Sequence, residues 1–148
     1  MKCYAVIDTN VLVSSLLSKN ETSATFQIML HLISGNIIPV YSNEIMAEYR
    51  EVLSRKKFKF PVEHIEYLLS VIEKFGILTT PTSTDVVLPD MKDLPFYEVV
   101  MEKRSDNAYL VTGNLKHFPN EPFIVTARQM LDIIENKMYN PEVPRQEV

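Results

Sequence analysis

The sequence predicts an α/β fold: a mostly parallel central sheet of roughly five short strands, with helices on both faces. Two observations carry that expectation. Short apolar runs bounded by turn residues alternate with longer segments of helical periodicity. The runs are also apolar almost throughout rather than alternating, as strands covered on both faces should be. Size agrees, since 148 residues suit one domain and a chain of this length buries about two-thirds of its unfolded surface without staples.

The elements follow in order. Residues 2–7 form the first strand, which stops at Asp8-Thr9-Asn10. A helix begins near Val11 and runs to Leu17. A second starts near Thr22, with Phe26, Met29, Leu30 and Ile33 spaced as one helical face and Gly35 as its stop. Ile37 to Tyr41 is the second strand. Ser42 then caps a helix reaching about Leu53. Lys56 to Phe60 is a basic connector. Pro61 opens a helix with Ile65, Leu68, Leu69, Ile72 and Phe75 inside and Gly76 at its end. Ile77 to Thr80 is a short strand, and 81–92, rich in Pro, Ser, Thr and Asp, is a surface loop. Pro95 to Lys103 is a helix opening just after Asp93. Ala108 to Thr112 is a strand followed by the turn Gly113-Asn114, and Phe123 to Val125 is the last strand. Thr126 and Gln129 form a capping box for a final helix through about Asn136, with Met130, Leu131, Ile133 and Ile134 inward. The domain is expected to span 1–137, with 138–148 a tail that is mobile or docks on a partner.

Composition excludes several classes. Hydrophobic residues make up 46 % and charged residues 23 %, which argues against general disorder. No apolar run approaches the roughly 18 residues of a membrane-spanning helix, and the apolar N-terminus is too short for a signal-peptide core. A single cysteine, Cys3, allows no internal disulfide and no thiolate metal cluster, which suits a reducing cytoplasm. With three glycines and no glycine-rich phosphate motif, nucleotide cradles are not expected. Net charge is −4, so any nucleic-acid contact needs a local basic patch.

The carboxylates are the chemistry-bearing residues. Asp8 falls at the carboxyl end of the first strand, where parallel sheets bind ligands; it is either an N-cap or a functional acid. Thr9 and Asn10 fit either reading. On the helix after Ser42, Glu48 lies about 85° from the centre of the apolar face, whereas Glu44 and Glu51 lie about 125° and about 145° away. Glu48 is thus the most inward acid, either a boundary residue that meets a lysine or a member of a site. Asp93, with Asp90 three residues before it, is a helix cap or an acid. Asn114 is a turn residue or a ligand. Topology brings Asp8, Glu48, Asp93 and Asn114 to one sheet edge. Acids gathered there raise one another's pKa unless a cation neutralises them, and oxygen donors without Cys or His suit Mg²⁺ or Mn²⁺.

These residues resemble a known family. Val6 through Leu12, VIDTNVL, looks like the opening of a PIN domain. Ser42 through Leu53 resembles the family's second motif with Glu48 as its acid, Asp90 through Glu98 its third with Asp93 as the acid, and Ala108 through Pro119 its fourth. The likeness covers residues 4 to about 135 and is greatest to the toxins of type II toxin–antitoxin systems. It implies a three-layer, Rossmann-like α/β/α sandwich and metal-dependent cleavage of RNA. Asp8, Glu48 and Asp93 would hold Mg²⁺ or Mn²⁺, with Thr9, Asn10 and Thr112 as a polar shell and Asn114 as a further catalytic position. A cognate antitoxin and homodimerisation are implied as well. The departure is Asn114, where many family members have Asp, so the site carries one formal charge fewer.

Arg50, Arg55, Lys56, Lys57 and Lys59, interleaved with Phe58 and Phe60, either guide a phosphate backbone or form a solvated connector. Lys116 and His117 are further candidates for phosphate contact, His117 equally a structural residue. A module that keeps the fold without catalysis is the competing reading, motivated by Asn114. A covalent-aspartate phosphatase is disfavoured, because the second acid of its D-x-D string is missing.

Overall fold

The computed structural model describes residues 2–139. The anticipated order of strands and helices is present, as β1 (Cys3–Ile7), α1 (Thr9–Leu17), α2 (Ala24–Ser34), β2 (Ile37–Tyr41), α3 (Asn43–Leu53), α4 (Val62–Phe75), β3 (Ile77–Leu78), α5 (Leu94–Glu102), β4 (Tyr109–Val111), β5 (Ile124–Val125) and α6 (Ala127–Tyr139). Short 3₁₀ turns occupy Lys56–Phe58, Met91–Asp93, Arg104–Asp106 and Leu115–His117.

All strand pairings among the described residues are parallel, and the sheet runs β3-β2-β1-β4-β5. Ala5 in central β1 pairs with Pro39 of β2 and Tyr109 of β4. Right-handed crossovers carry the chain from β1 to β2 and on to β3 with their helices on one face. The return from β3 to β4 lays α5 across β2, β1 and β4 on the other face. The result is the three-layer α/β/α sandwich. Strand order reverses at β1 and β4, so the crevice at their carboxyl ends lies between Asp8 and Thr112.

Local chemistry explains the boundaries. Ser23 Oγ accepts from Phe26 N at 3.3 Å and Ser42 Oγ from Ile45 N at 3.1 Å, opening α2 and α3. Thr126 and Gln129 make both reciprocal bonds of the capping box, at 2.9 and 3.1 Å. Gly35 closes α2 in the left-handed region, φ 88°. Gly76 closes α4 for a different reason: its φ is −89°, but a Cβ there would collide with the Ile72 and Pro39 carbonyl oxygens. Pro39, which has no N–H to offer a neighbouring strand, sits inside β2 one residue before β3 pairing starts at Val40.

Packing corrects several expectations. In α2 the buried residues are Ile28 and Leu32, while Leu30 and Ile33 are exposed at 41 % and 37 %. The helix is apolar on more than one flank, and the neighbours α1, α6 and β2 chose the register. Phe75 is 59 % exposed rather than inside α4, because it sits in the last turn, with the Lys74 ammonium over its ring. The 81–92 loop lies on the surface, but it is tied down. Glu102 accepts from Thr82 N at 3.1 Å, Glu98 from Thr84 N at 2.9 Å, and Leu88 is buried. The last helix runs to Tyr139 rather than Asn136, and the expected tail beyond it lies outside the described residues.

A methyl at position 76 has no room to relax, because backbone oxygens from two elements meet it. Gly76→Ala is therefore expected to cost about 1–3 kcal/mol, as overpacking does. Denaturant titration against the parent protein reads this directly.

Candidate active site

Asp8 occupies the cap position before α1 with extended backbone (φ −64°, ψ 143°), yet its side chain makes no cap bond. Its Oδ2 instead accepts from Thr112 Oγ1 at 2.7 Å, across the β1–β4 junction. Asn10 Nδ2 approaches the same oxygen at 3.5 Å, and Asn10 Oδ1 accepts from Gly113 N at 3.2 Å. Thr112 Oγ1 also accepts from Asn114 N at 3.0 Å. The turns after β1 and β4 are thus laced together around one carboxylate that is 5 % exposed.

Asp93 repeats the pattern. It precedes α5 without a side-chain cap bond, and its Oδ2 meets His117 Nδ1 at 2.9 Å. Glu48, half-buried on α3, accepts from Thr9 Oγ1 at 2.6 Å instead of meeting a lysine. Beneath them Tyr49 hydroxyl donates to the Ile7 carbonyl at 2.5 Å, which fixes α3 against the end of β1. Ring contact between Tyr49 and Phe96, centroids 6.3 Å apart, extends that link to α5.

Asp8, Thr9, Asn10, Glu48, Asp90 and Asp93 line one cleft of about 490 Å³. Burial drives the Asp8 pKa up to about 6, and the nearby Asp93 and Glu48 charges add to the rise against the Thr112 hydrogen bond. Burial likewise raises Asp93, opposed by His117 and reinforced by Asp90. Asp90, Asp93 and His117 place one ligand atom each within 4.8 Å of one another. The donor set near Asp93 therefore includes an imidazole, which the acid-only reading of the sequence lacked. Asp90 caps the 3₁₀ turn that Asp93 ends, and His117 ends the turn after β4; only the fold brings the two segments together.

The other anticipated residues divide between this cleft and the surface around it. Asn114 is exposed, does not line the cleft, and contributes its backbone N–H to Thr112. Arg50 is drawn to α4 by a 2.9 Å pair with Glu66. Arg55 lines the cleft, paired to Glu51 at 2.9 Å. Lys56, Lys57 and Lys59 are exposed on or beside the adjoining 3₁₀ turn, and Lys116 is exposed after Asn114. Lys92, which the sequence reading passed over, lines the cleft next to Asp93.

The PIN domain family model matches residues 4–116, from β1 through the turn after β4. The chain belongs to the PIN domain family. No curated protein and no solved structure matches it. PIN domains are generally nucleases and typically use divalent metal ions, so the class defined by fold and site is a nuclease-type hydrolase.

The raised Asp8 pKa has a sign that stability measurements can read. Its folded value, about 6, lies above the unfolded 3.8. Stability from the protonated form is complete below the unfolded value and disappears as pH rises through the folded one. The metal-free protein should therefore lose stability between those two pH values. Asp8→Asn, neutral at every pH and still able to accept from Thr112, should be more stable than the parent at pH 7 by up to about 3 kcal/mol. Calorimetry at pH 4 and pH 7 should show the difference shrinking at the lower pH.

Proposed function

We propose that the protein is a metal-dependent endoribonuclease, the toxin of a toxin–antitoxin pair, and that Asp8, Glu48 and Asp93 carry its chemistry. One observation supports this above the rest. Two acids at helix-cap positions, Asp8 and Asp93, decline the cap and turn into a shared cleft with Glu48. Among the described residues neither Asp8 nor Glu48 has an ion pair. Charges kept close without a basic partner call for a cation.

The donor chemistry fits Mg²⁺ or Mn²⁺. Carboxylate oxygens of Asp8, Glu48 and Asp93 would hold the ion, with Asp90 and His117 beside Asp93 as further ligands. When bound, such an ion supplies charge neutralisation at the phosphate and a lowered water pKa. The protein's own residues do the positioning. Thr112 and Asn10 aim the Asp8 carboxylate, Thr9 aims Glu48, and His117 aims Asp93. In hydrolysis, water adds to phosphorus, the P–O bond to the leaving oxygen breaks, and that oxygen gains a proton. Asp93 or Glu48 takes the proton lost by the attacking water. Arg55, Lys92 and the Lys56, Lys57 and Lys59 cluster would draw the phosphate backbone to this cleft. Arg50, held by Glu66, contributes less.

Pairing with an antitoxin and homodimerisation belong to the same reading. Val62, Tyr67 and Phe75, exposed on α4, offer apolar surface for such partners to cover. No helix among the described residues is long and apolar enough to cross a membrane. A cytoplasmic site of action is the corresponding proposal. The second reading, a module that binds RNA or protein with little or no catalysis, draws on Asn114 in place of a family acid.

RNA mixtures incubated with Mn²⁺ or Mg²⁺ should be cleaved, EDTA should abolish cleavage, and Asp8→Ala and Asp93→Ala should each reduce the rate by at least about 100-fold. The ion should also raise the melting temperature of the parent protein and not of Asp8→Ala. Absence of both cleavage and calorimetric metal binding would favour the non-catalytic module. Asn114→Asp separates the readings further: a nuclease weakened by Asn should gain metal affinity and rate.

A further inference from the structure

The acids and basic residues account for a phosphate, but an aromatic wall of the same cleft is left over. Phe58 lines it alongside Asp8, Glu48 and Asp93. Its ring lies parallel to Phe60, centroids 5.3 Å apart and planes 9° from coplanar. Phe60 packs against the hydrophobic core, so the stack is anchored on one side.

The backbone is committed to this arrangement. The 3₁₀ turn Lys56–Phe58 ends at Lys59, a non-glycine residue with φ 57° and ψ 32°. That left-handed conformation is unfavourable for an L-residue, and here it separates two rings that stack. Phe58 is only half-buried, in a cleft otherwise lined largely by charge. A half-buried ring there gains when a flat partner takes the place of the cation over it. The Lys57 ammonium lies over that ring, 5.2 Å from its centre, where a stacking base would displace it toward the base's own phosphate, and Arg55 lies in the same cleft. A flat group attached to an anion matches this combination, and a nucleobase on its phosphate is such a group.

We propose that Phe58 is a base-stacking residue: an unpaired base lies on the Phe58–Phe60 stack while the adjoining phosphate reaches the carboxylates. The inference rests on the nuclease reading and specifies how this site would select its substrate. A base held inside a duplex presents no open face to the ring, so paired strands are disfavoured. Phe58 sets specificity, Phe60 positions it, and Arg55 and Lys57 hold the flanking backbone.

The test uses the full chain in Ca²⁺ and a short oligoribonucleotide carrying 2-aminopurine, whose fluorescence falls on stacking. Wild type should bind the single strand with quenching. Phe58→Ala should lose the quench and about 5- to 100-fold in affinity, whereas Phe58→Trp should retain both. The same sequence in a duplex should bind wild type no better than the single strand binds Phe58→Ala. An oligodeoxynucleotide that quenches equally would assign the contact to the base whatever the sugar. Equal Mn²⁺-induced thermal stabilisation in wild type and Phe58→Ala confirms that fold and acid site are intact. Quench and affinity unchanged in Phe58→Ala overturn the stacking role and leave the nuclease reading standing. A wild type that is stabilised by Mn²⁺ yet binds no oligonucleotide overturns both.

Discussion

A carboxylate held out of water at the end of the central strand is the constraint around which the rest is arranged. Asp8 stands where strand order reverses, and its Oδ2 is held by Thr112 from the neighbouring strand. The bond closes a sequence separation of 104 residues. Everything near it serves either to support the charge or to keep it aimed. Asn10 spans from Asp8 to Gly113, Asn114 N–H satisfies Thr112, and Tyr49 locks the Ile7 carbonyl one residue upstream. Without such bracing a buried carboxylate would simply be protonated, and the raised Asp8 pKa shows how near that limit it lies.

The same fold contains helix starts used as helix starts, which makes the contrast informative. Ser23, Ser42 and Thr126 all spend their hydroxyls on backbone N–H groups within their own first turn. Asp8 occupies an equivalent position and makes no such cap bond, whereas Asp93 is αR at the end of the 3₁₀ turn that Asp90 caps through Lys92 N. A carboxylate is a good cap, so forgoing the bond sacrifices local helix stability of about 1 kcal/mol. Stability is being exchanged for a set of acids presented to one cleft, a pattern expected of functional sites rather than of frameworks.

The basic side of the cleft is organised by pairing. Arg50 on α3 and Arg55 just past its end are held in different places, because Glu66 on α4 takes the first and Glu51 on α3 keeps the second at the cleft. Exposed pairs of this kind contribute little to stability, so their effect is mainly on where the guanidinium groups rest. Lys92, beside Asp93, gives the opposite wall a cation of its own.

Much of this could be read from the chain alone. Element order, the Ser42 cap, the Thr126–Gln129 box and the convergence of Asp8, Glu48 and Asp93 follow from local rules: apolar periodicity, short-range hydrogen bonds and the carboxyl-edge geometry of parallel sheets. Those rules act over a few residues or over topology as a whole. The undetermined features depend on intermediate contacts. Which flank of α2 is buried was settled by α1, α6 and β2, since the helix offers apolar residues on several sides. Phe75 is exposed because of where α4 ends, not because of its own polarity. His117 joins Asp93 across 24 residues, and nothing in either local segment announces the other. Whether the Asp8 carboxylate caps its own helix was likewise open until Thr112 was placed beside it. A side chain's local options are written in its neighbours along the chain, but the choice among them is made by partners that only folding brings within hydrogen-bonding distance.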